Sequence, residues 1–261
     1  MVVTIDIGNT NITIGCFSRK SDEIINYASL RTDRLLTTDD LAIKYSNLVS
    51  LWGLQGKTLD KVVISSVVPT LDYPFKHMFE KYFNVSPIFV VKENVPITIN
   101  YDFPREIGAD RIVNAYAGIC MFPQRNLVIV DFGTATTFDI VSDKGTYEGG
   151  VIVPGIMTSL RSMEEKAAKL PHIDLLSKTA VVGKNTIDGI RSGIINGTAS
   201  MVDGIVARIA GETGFKDIKV IATGGLSELI ISVSSSIELI DKHLTLKGLY
   251  YIWKLHNGKK A

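Results

Sequence analysis

The chain has 261 residues, with 28 Lys and Arg against 27 Asp and Glu and a formal net charge of +1. Apolar residues make up 46% and charged residues 21%, enough to bury the cores of one or two domains. This balance excludes the basic excess that neutralises a nucleic-acid backbone and the acidic, aromatic-poor composition of a disordered chain.

The elements alternate along the chain. Val2 to Ile7 and Ile12 to Phe17 are β-branched runs joined by Gly8-Asn9-Thr10-Asn11, which predicts two strands and a turn. Leu41, Tyr45, Leu48 and Trp52 repeat at helical spacing, with Thr37 or Thr38 as the cap and Asp39 and Asp40 in the first turn. Lys61 to Val68 reads as a buried strand stopped by Pro69, and Ile88 to Val91 as another. Gly108 to Met121 has helical spacing, ended by Phe122-Pro123-Gln124. Leu127 to Val130 and Thr136 to Val141 are again strands, and Thr186 to Ala210 is a long helix with Thr186 as its cap. Val220 to Ala222 is a short strand running into Thr223-Gly224-Gly225. Strands and helices in this order predict an α/β fold.

Cys16 and Cys120 sit among apolar neighbours and form no Cys-x-x-Cys pair, so both read as buried small hydrophobes in a reducing compartment. His77, His172, His243 and His256 are scattered, without zinc-ligand spacing. Lys259-Lys260 reads as a solvated tail. No basic leader opens the sequence and no apolar run reaches the ~20 residues of a membrane span. A cytoplasmic protein is expected, with neither a nucleic-acid nor a membrane partner.

One pattern reorganises this picture. Thr4-Ile5-Asp6-Ile7-Gly8-Asn9-Thr10-Asn11 recurs in kind at Ile129-Val130-Asp131-Phe132-Gly133-Thr134-Ala135-Thr136, an offset of 125 residues. Each copy is an apolar run, an Asp, an apolar residue, a Gly, small or polar residues and then a second β-run. A repeat at half the chain length is too long for a solenoid and suggests two similar domains, 1–124 and 125–261.

Such a hairpin has definite uses. The Gly lets a ligand approach the backbone, the turn N–H groups can form an anion nest, and a strand-end carboxylate can hold magnesium against phosphate oxygens. The alternative is that Asp6 and Asp131 only stabilise their turns. The chain has no Gly-x-x-x-x-Gly-Lys-Ser/Thr loop and no dinucleotide fingerprint after its first strand. Asp110 and Arg111 fall in the first turn of a helix. There Asp110 could offset the helix dipole or serve as a general base in phosphoryl transfer, with Arg111 beside it to orient an anion. Gly189, Gly193 and Gly197 share one face of the long helix, fit for close approach of another helix, within the fold or across a dimer.

Taken together, these stretches resemble the type III pantothenate kinase family, of the acetate-and-sugar-kinase, heat-shock ATPase and actin superfamily. The resemblance rests on Asp6-Ile7-Gly8-Asn9-Thr10-Asn11, Gly108-Ala109-Asp110-Arg111, Asp131-Phe132-Gly133-Thr134-Ala135-Thr136, Gly149-Gly150-Val151-Ile152-Val153-Pro154-Gly155, Gly183-Lys184-Asn185-Thr186 and Ala222-Thr223-Gly224-Gly225, in family order over nearly the whole chain. It implies a duplicated actin-like ATPase fold of two ribonuclease-H-like domains with a nucleotide cleft between them. It also implies ATP-dependent phosphorylation of pantothenate to 4′-phosphopantothenate, the first step of coenzyme A biosynthesis. On this resemblance Asp6, Ile7, Gly8, Asn9, Thr10, Asn11, Ile12 and Thr13 form the first phosphate loop, Asp6 helping to place Mg-ATP, and Thr134 contacts ATP. Asp131 holds a monovalent cation, K⁺ or NH₄⁺. Asp110 is the proton acceptor, while Tyr101, Gly108, Ala109, Arg111 and Thr186 line the pantothenate pocket with it. The family works as a homodimer.

Overall fold

The computed structural model describes residues 1–19, 21–166, 173–176 and 180–258; His172 and the Lys259-Lys260 tail lie outside them. In chain order come β1 (Val2–Ile7), β2 (Asn11–Phe17), β3 (Ile24–Arg31), α1 (Thr38–Leu51), β4 (Lys61–Ser66), α2 (Pro69–Phe83), β5 (Ile88–Phe89), β6 (Thr98–Ile99) and α3 (Ala109–Met121). Then follow β7 (Leu127–Phe132), β8 (Ala135–Val141), β9 (Thr146–Pro154), α4 (Ile156–Lys166), α5 (Thr186–Thr213), β10 (Lys219–Thr223), α6 (Ser227–Ile231), β11 (Leu239–Ile240) and α7 (Leu244–Gly258).

These elements form two compact units. One holds Met1–Ile97, Asp102–Cys120 and the segment that begins at Leu244, and the other holds Thr98–Tyr101 and Met121–His243. Compared with the division after residue 124 expected from the repeat, the first unit also takes α7 and the second takes β6.

The first unit is built on a sheet ordered β3-β2-β1-β4-β5. β1, β2 and β3 pair antiparallel, while β4 runs parallel to β1 and β5 parallel to β4. Alternation puts Val3, Ile5, Ile7, Ile12, Ile14, Val62 and Ile64 on one face, where they pack on Leu41 and Tyr45 of α1 and Leu71, Phe75, Met78 and Phe79 of α2. Helix α1 begins as its sequence predicts: Thr37 caps it, its Oγ1 accepting from Asp40 N while Asp40 Oδ2 accepts from Thr37 N. Pro69 does more than stop a strand. It is the first residue of α2, a position where its missing N–H costs no hydrogen bond.

The opposite face of that sheet is covered by α7, whose Leu244, Leu246, Leu249, Tyr250 and Ile252 are fully buried. Tyr250 stacks on Phe17 at 4.5 Å and its hydroxyl donates to Ser18 O. Gly248 lets α7 lie against α3: a Cβ there would sit 2.5 Å from Val113 O. α7 belongs to this unit because it closes a sheet face that would otherwise leave β1, β2 and β4 wet.

The second unit repeats the plan. Its sheet is ordered β11-β10-β7-β8-β9-β6, with β7, β8 and β9 antiparallel and β10 and β11 parallel to β7. Val128, Val130, Phe132, Phe138, Ile140, Val220 and Ala222 face a core completed by Leu160 of α4, Ile230 of α6 and Ala199, Val202, Val206 and Ile209 of α5. Ile129, Asp131, Thr137, Asp139, Ile221 and Thr223 therefore occupy the other face. The two-residue β6 adds parallel to the free edge of β9.

Of the two cysteines expected to be buried, Cys16 is and Cys120 is exposed on the last turn of α3. Among the described residues, no helix is long and apolar enough to cross a membrane.

Candidate active site

In the first unit, β1 delivers Asp6 to the mouth of a tight turn. Gly8 N donates to Asn11 O at 3.0 Å, and Asn9, Thr10 and Asn11 are exposed. Asp6 and Thr13 are directly opposed across the hairpin. Ile7 and Ile12 are fully buried, so they anchor the turn and leave only backbone groups for a ligand. The turn is braced from the end of β3: Thr32 N donates to Thr10 O at 2.9 Å and Thr32 Oγ1 to Gly8 O at 2.6 Å. Arg34 Nη2 reaches Asn9 Oδ1 at 3.0 Å. No local motif marks Thr32 or Arg34, because the strand pairing that brings them to the turn is non-local.

The start of α3 lies in the same unit. Arg111 N and Ile112 N turn back on Gly108 O. Asp110 Oδ1 accepts from Arg111 N at 2.8 Å. Burial pushes the Asp110 carboxyl above its ordinary range, partly offset by that N–H and by the charge of Arg111. A Cβ at Gly108 would press on Asp110 Oδ1, so any larger residue there would displace that carboxylate. Arg111 is itself buried, 8% exposed.

Val67 ties these two pieces together. Its N–H donates to Ile7 O at 3.0 Å, and its Cγ1 lies 3.6 Å from where a Gly108 Cβ would be. The Asp110 carboxylate and the turn after β1 are thus neighbours through one residue, which the reading of 61–68 as a plain strand passed over.

In the second unit, Asp131 is the penultimate residue of β7, with Thr137 opposite and Thr223 of β10 on its other side. Gly224, at φ +90°, follows Thr223, and a Cβ on it would stand 2.8 Å from Asp131 Oδ1 and 2.6 Å from Phe132 O. Only glycine permits that approach. A carboxylate and a carbonyl oxygen share this corner, a hard-oxygen donor pair that suits a hard cation. Thr134 is exposed in the turn, and its carbonyl accepts from Gly155 N and from Thr158 Oγ1.

Tyr101 follows β6 at 37% exposure, its ring edge-on to Tyr147 at 6.2 Å. Thr186 is exposed at the start of α5 but does not cap it. Asn185 does, its Oδ1 accepting from Asp188 N at 2.9 Å. Asparagine outranks a residue already carrying helical dihedrals at that position. The approach to α5 is pinned by Arg191, whose Nε donates to Asp174 O and whose Nη1 donates to Asp188 Oδ1, both at 2.6 Å. Gly189, Gly193 and Gly197 have nothing within 4 Å of a modest Cβ addition. Among the described residues, then, the glycine face of α5 is not used for a helix contact within the unit.

So the first unit assembles Asp6 to Thr13 with Gly108 to Arg111, and the second places Asp131 and Thr134 on one hairpin, with Tyr101 beyond β9 and Thr186 on a separate helix. A strand-end carboxylate, turn N–H groups and a part-buried carboxylate at a helix start are the means to hold a polyphosphate and to accept a proton from an alcohol.

The chain is similar to known proteins along most of its length. The family model for type III pantothenate kinase matches residues 2–208. A type III pantothenate kinase of Halalkalibacterium halodurans is 43% identical over 257 residues, which covers 97% of this chain and 99% of that protein. Among solved structures, a Campylobacter jejuni protein assigned to the Baf family of transcriptional activators aligns with TM-score 0.62 at 19% identity, covering 98% of this chain and 99% of that one. The activator of 2-hydroxyisocaproyl-CoA dehydratase from Clostridium difficile, with bound ADPNP, aligns with TM-score 0.58 at 14% identity, covering 99% and 97%. Such distant likenesses carry the fold alone, and that fold is the duplicated two-domain ATPase fold.

Proposed function

The chain belongs to the type III pantothenate kinase family, and from that premise we propose how its residues divide the work. The reaction is the ATP-dependent phosphorylation of pantothenate to 4′-phosphopantothenate, the first step of coenzyme A biosynthesis. Asp110 accepts the proton of the primary hydroxyl as the γ-phosphoryl group is transferred. The observation that carries this role is its setting. Its carboxylate is oriented by Arg111 N–H, raised in pKa by burial, and joined through Val67 to the phosphate turn. A raised carboxylate is the better base, since its basicity moves toward the operating pH.

The turn from Asp6 to Thr13 holds the ATP phosphates with its N–H groups, and Thr134 adds a contact to the nucleotide. Mg²⁺ would be held through Asp6, and K⁺ or NH₄⁺ at the Asp131 and Phe132 oxygens; both supply positive charge that offsets the phosphates. Tyr101, Gly108, Ala109, Arg111 and Thr186 bind pantothenate, Arg111 supplying a fixed cation for its carboxylate. Positive charge in a chain of net charge +1 is thus local.

A homodimer completes the reading. The outward glycine face of α5 would let a second copy approach closely, so Gly193→Arg should convert a dimer to a folded monomer in sedimentation. The reaction itself is tested by product mass after incubating protein, ATP, Mg²⁺ and K⁺ with pantothenate. ATP consumption that does not depend on pantothenate would overturn it.

A further inference from the structure

We infer that Asp139 and Tyr147 act as a positioning pair that sets where Tyr101 stands, and through it the affinity for pantothenate. This rests on the reading of Tyr101 as a pocket residue.

Neither residue contacts solvent to any extent: Asp139 is 0% and Tyr147 1% exposed. Tyr147 Oη donates to Asp139 Oδ1 at 2.9 Å, from β9 to β8. A carboxylate inside a sheet face is costly unless hydrogen-bonded. A phenylalanine over an apolar residue would fill the same space without that cost. What the polar pair adds is a fixed direction for the Tyr147 ring, tied at its backbone and at its hydroxyl.

The segment that carries Tyr101 is held by β9 from Thr146 to Glu148, with Tyr147 at its centre. β6 has two residues, too few to define its own register, and it pairs Thr98 with Thr146 and Ile99 with Tyr147. Asn100 N donates to Tyr147 O at 2.8 Å, and Asn100 Nδ2 donates to Glu148 Oε2 at 2.8 Å. The Tyr101 ring then meets the Tyr147 ring edge-on, with an interplanar angle of 64°. Two features of β9 fit this purpose. The register shifts between Ile140 and Val141, so that Ile140 faces Gly149 but Val141 faces Tyr147; a bulge of this kind re-aims a side chain. Gly149 has φ +124°, and a Cβ on it would lie 3.8 Å from the Tyr101 ring. The backbone beside Tyr101 thus takes a conformation reserved for glycine.

Tyr147→Phe keeps the ring and removes the tether, and Asp139→Asn weakens it. Both should raise KM for pantothenate about tenfold, the size of one hydrogen bond to a charged group, and leave KM for ATP unchanged. Asn100→Ala, at the surface, loosens the same segment without touching the interior and should raise KM for pantothenate severalfold, which keeps the test open if either interior variant fails to fold. Tyr101→Ala is the reference: combined with Tyr147→Phe, it should show no further loss. If Tyr101→Ala raises KM for pantothenate while Tyr147→Phe and Asn100→Ala do not, the positioning role is wrong and the pocket reading stands. If Tyr101→Ala itself leaves KM for pantothenate unchanged, the pocket reading fails and the positioning role with it. Parallel rises in both KM values would mark a general structural effect and also overturn the proposal.

Discussion

The β1–β2 and β7–β8 hairpins are two editions of one unit, and their differences are more informative than their likeness. β1 and β7 have the same burial pattern, and Asp6 and Asp131 occupy the same place in it. Each faces a threonine across the hairpin, Thr13 and Thr137. The next parallel strand puts Ser65 beside Asp6 and Thr223 beside Asp131. From there they part. Ser66 follows Ser65, and its hydroxyl is engaged with Asp72 and Val68 N. Gly224 follows Thr223 and brings backbone up to the Asp131 carboxylate. The first turn is also one residue longer and rich in exposed amide and hydroxyl groups, whereas the carbonyl of Thr134 in the second is already occupied by Gly155 and Thr158. On the proposed reading the first copy offers N–H donors to an anion and the second offers oxygens to a cation. That division would follow from a difference of one residue in turn length and of serine against glycine at one position.

The sharpest way to test that division is at Asp110, which shares the first unit with the turn after β1. Asp110→Asn should lower kcat by about 10²–10⁴-fold, the range for losing a general base, with ATP binding retained by calorimetry. Near-normal turnover would remove Asp110 from the chemistry. A pH series adds the sign. The folded-state pKa is raised, so the folded protein holds the proton more tightly than the unfolded chain. Stability is therefore lost as pH rises from the unfolded carboxylate pKa through the folded one. Asp110→Asn should melt higher than the wild type at neutral pH, with the difference closing in acid below both values. The wild-type rate should fall as pH drops through the same raised pKa.

Next in size is the cation corner. Asp131→Asn should cost about 10²-fold in kcat, as for one lost electrostatic stabiliser, and should abolish the response of the rate to K⁺ or NH₄⁺. Gly224→Ala should do the same by another route, since its Cβ would crowd Asp131 Oδ1 and Phe132 O. The matching change in the first unit, Ser66→Ala, should leave the cation response intact. If Ser66→Ala alters that response as much as Gly224→Ala does, the two hairpins are not specialised as described.

Much of this was legible because the repeat is local. Asp-x-Gly between two β-runs is written in consecutive residues, and so is the capping box of Thr37 and Asp40. The offset of 125 holds up to the turns and becomes 124 beyond them, from Thr13 to Thr137, a slip that sequence matching at a constant offset hides. What was not legible depends on distant pairing. Gly224 reaches Asp131 only because β10 lies parallel to β7. Thr32 reaches Gly8 only because β3 pairs with β2. α7 has no reading from the sequence, and the sheet face it covers is formed by residues far earlier in the chain. Helix α2 carries a stripe of Leu71, Phe75, Met78 and Phe79, but in the sequence Pro69 reads only as the stop of the preceding strand, and the helix it opens has no reading. The cap at Asn185 was placed one residue late because Asn and Thr are both good caps, and only the backbone at Asn185, extended and not yet helical, decides between them.

The smallest expected effects concern the braces of the two turns, and they should differ in kind. Arg34 is exposed and touches Asn9 through a side-chain amide, so Arg34→Ala removes a charge near the phosphates but little packing. KM for ATP should rise about two- to fivefold, in keeping with an exposed charge, and the effect should fade as salt is added because a Debye length is ~8 Å at physiological ionic strength. Thr158 donates instead to Thr134 O, which keeps a second donor in Gly155 N. Thr158→Val should therefore cost about 1 kcal/mol of stability or less, with KM for ATP hardly moved and no dependence on salt. The contrast follows from what each turn offers a ligand. In the first, on the proposed reading, the bracing residue itself would bring charge to the anion, while in the second it only holds a carbonyl in place. Equal, salt-insensitive responses from Arg34→Ala and Thr158→Val would mean that both braces are purely structural and that the first turn owes its anion affinity to its backbone alone.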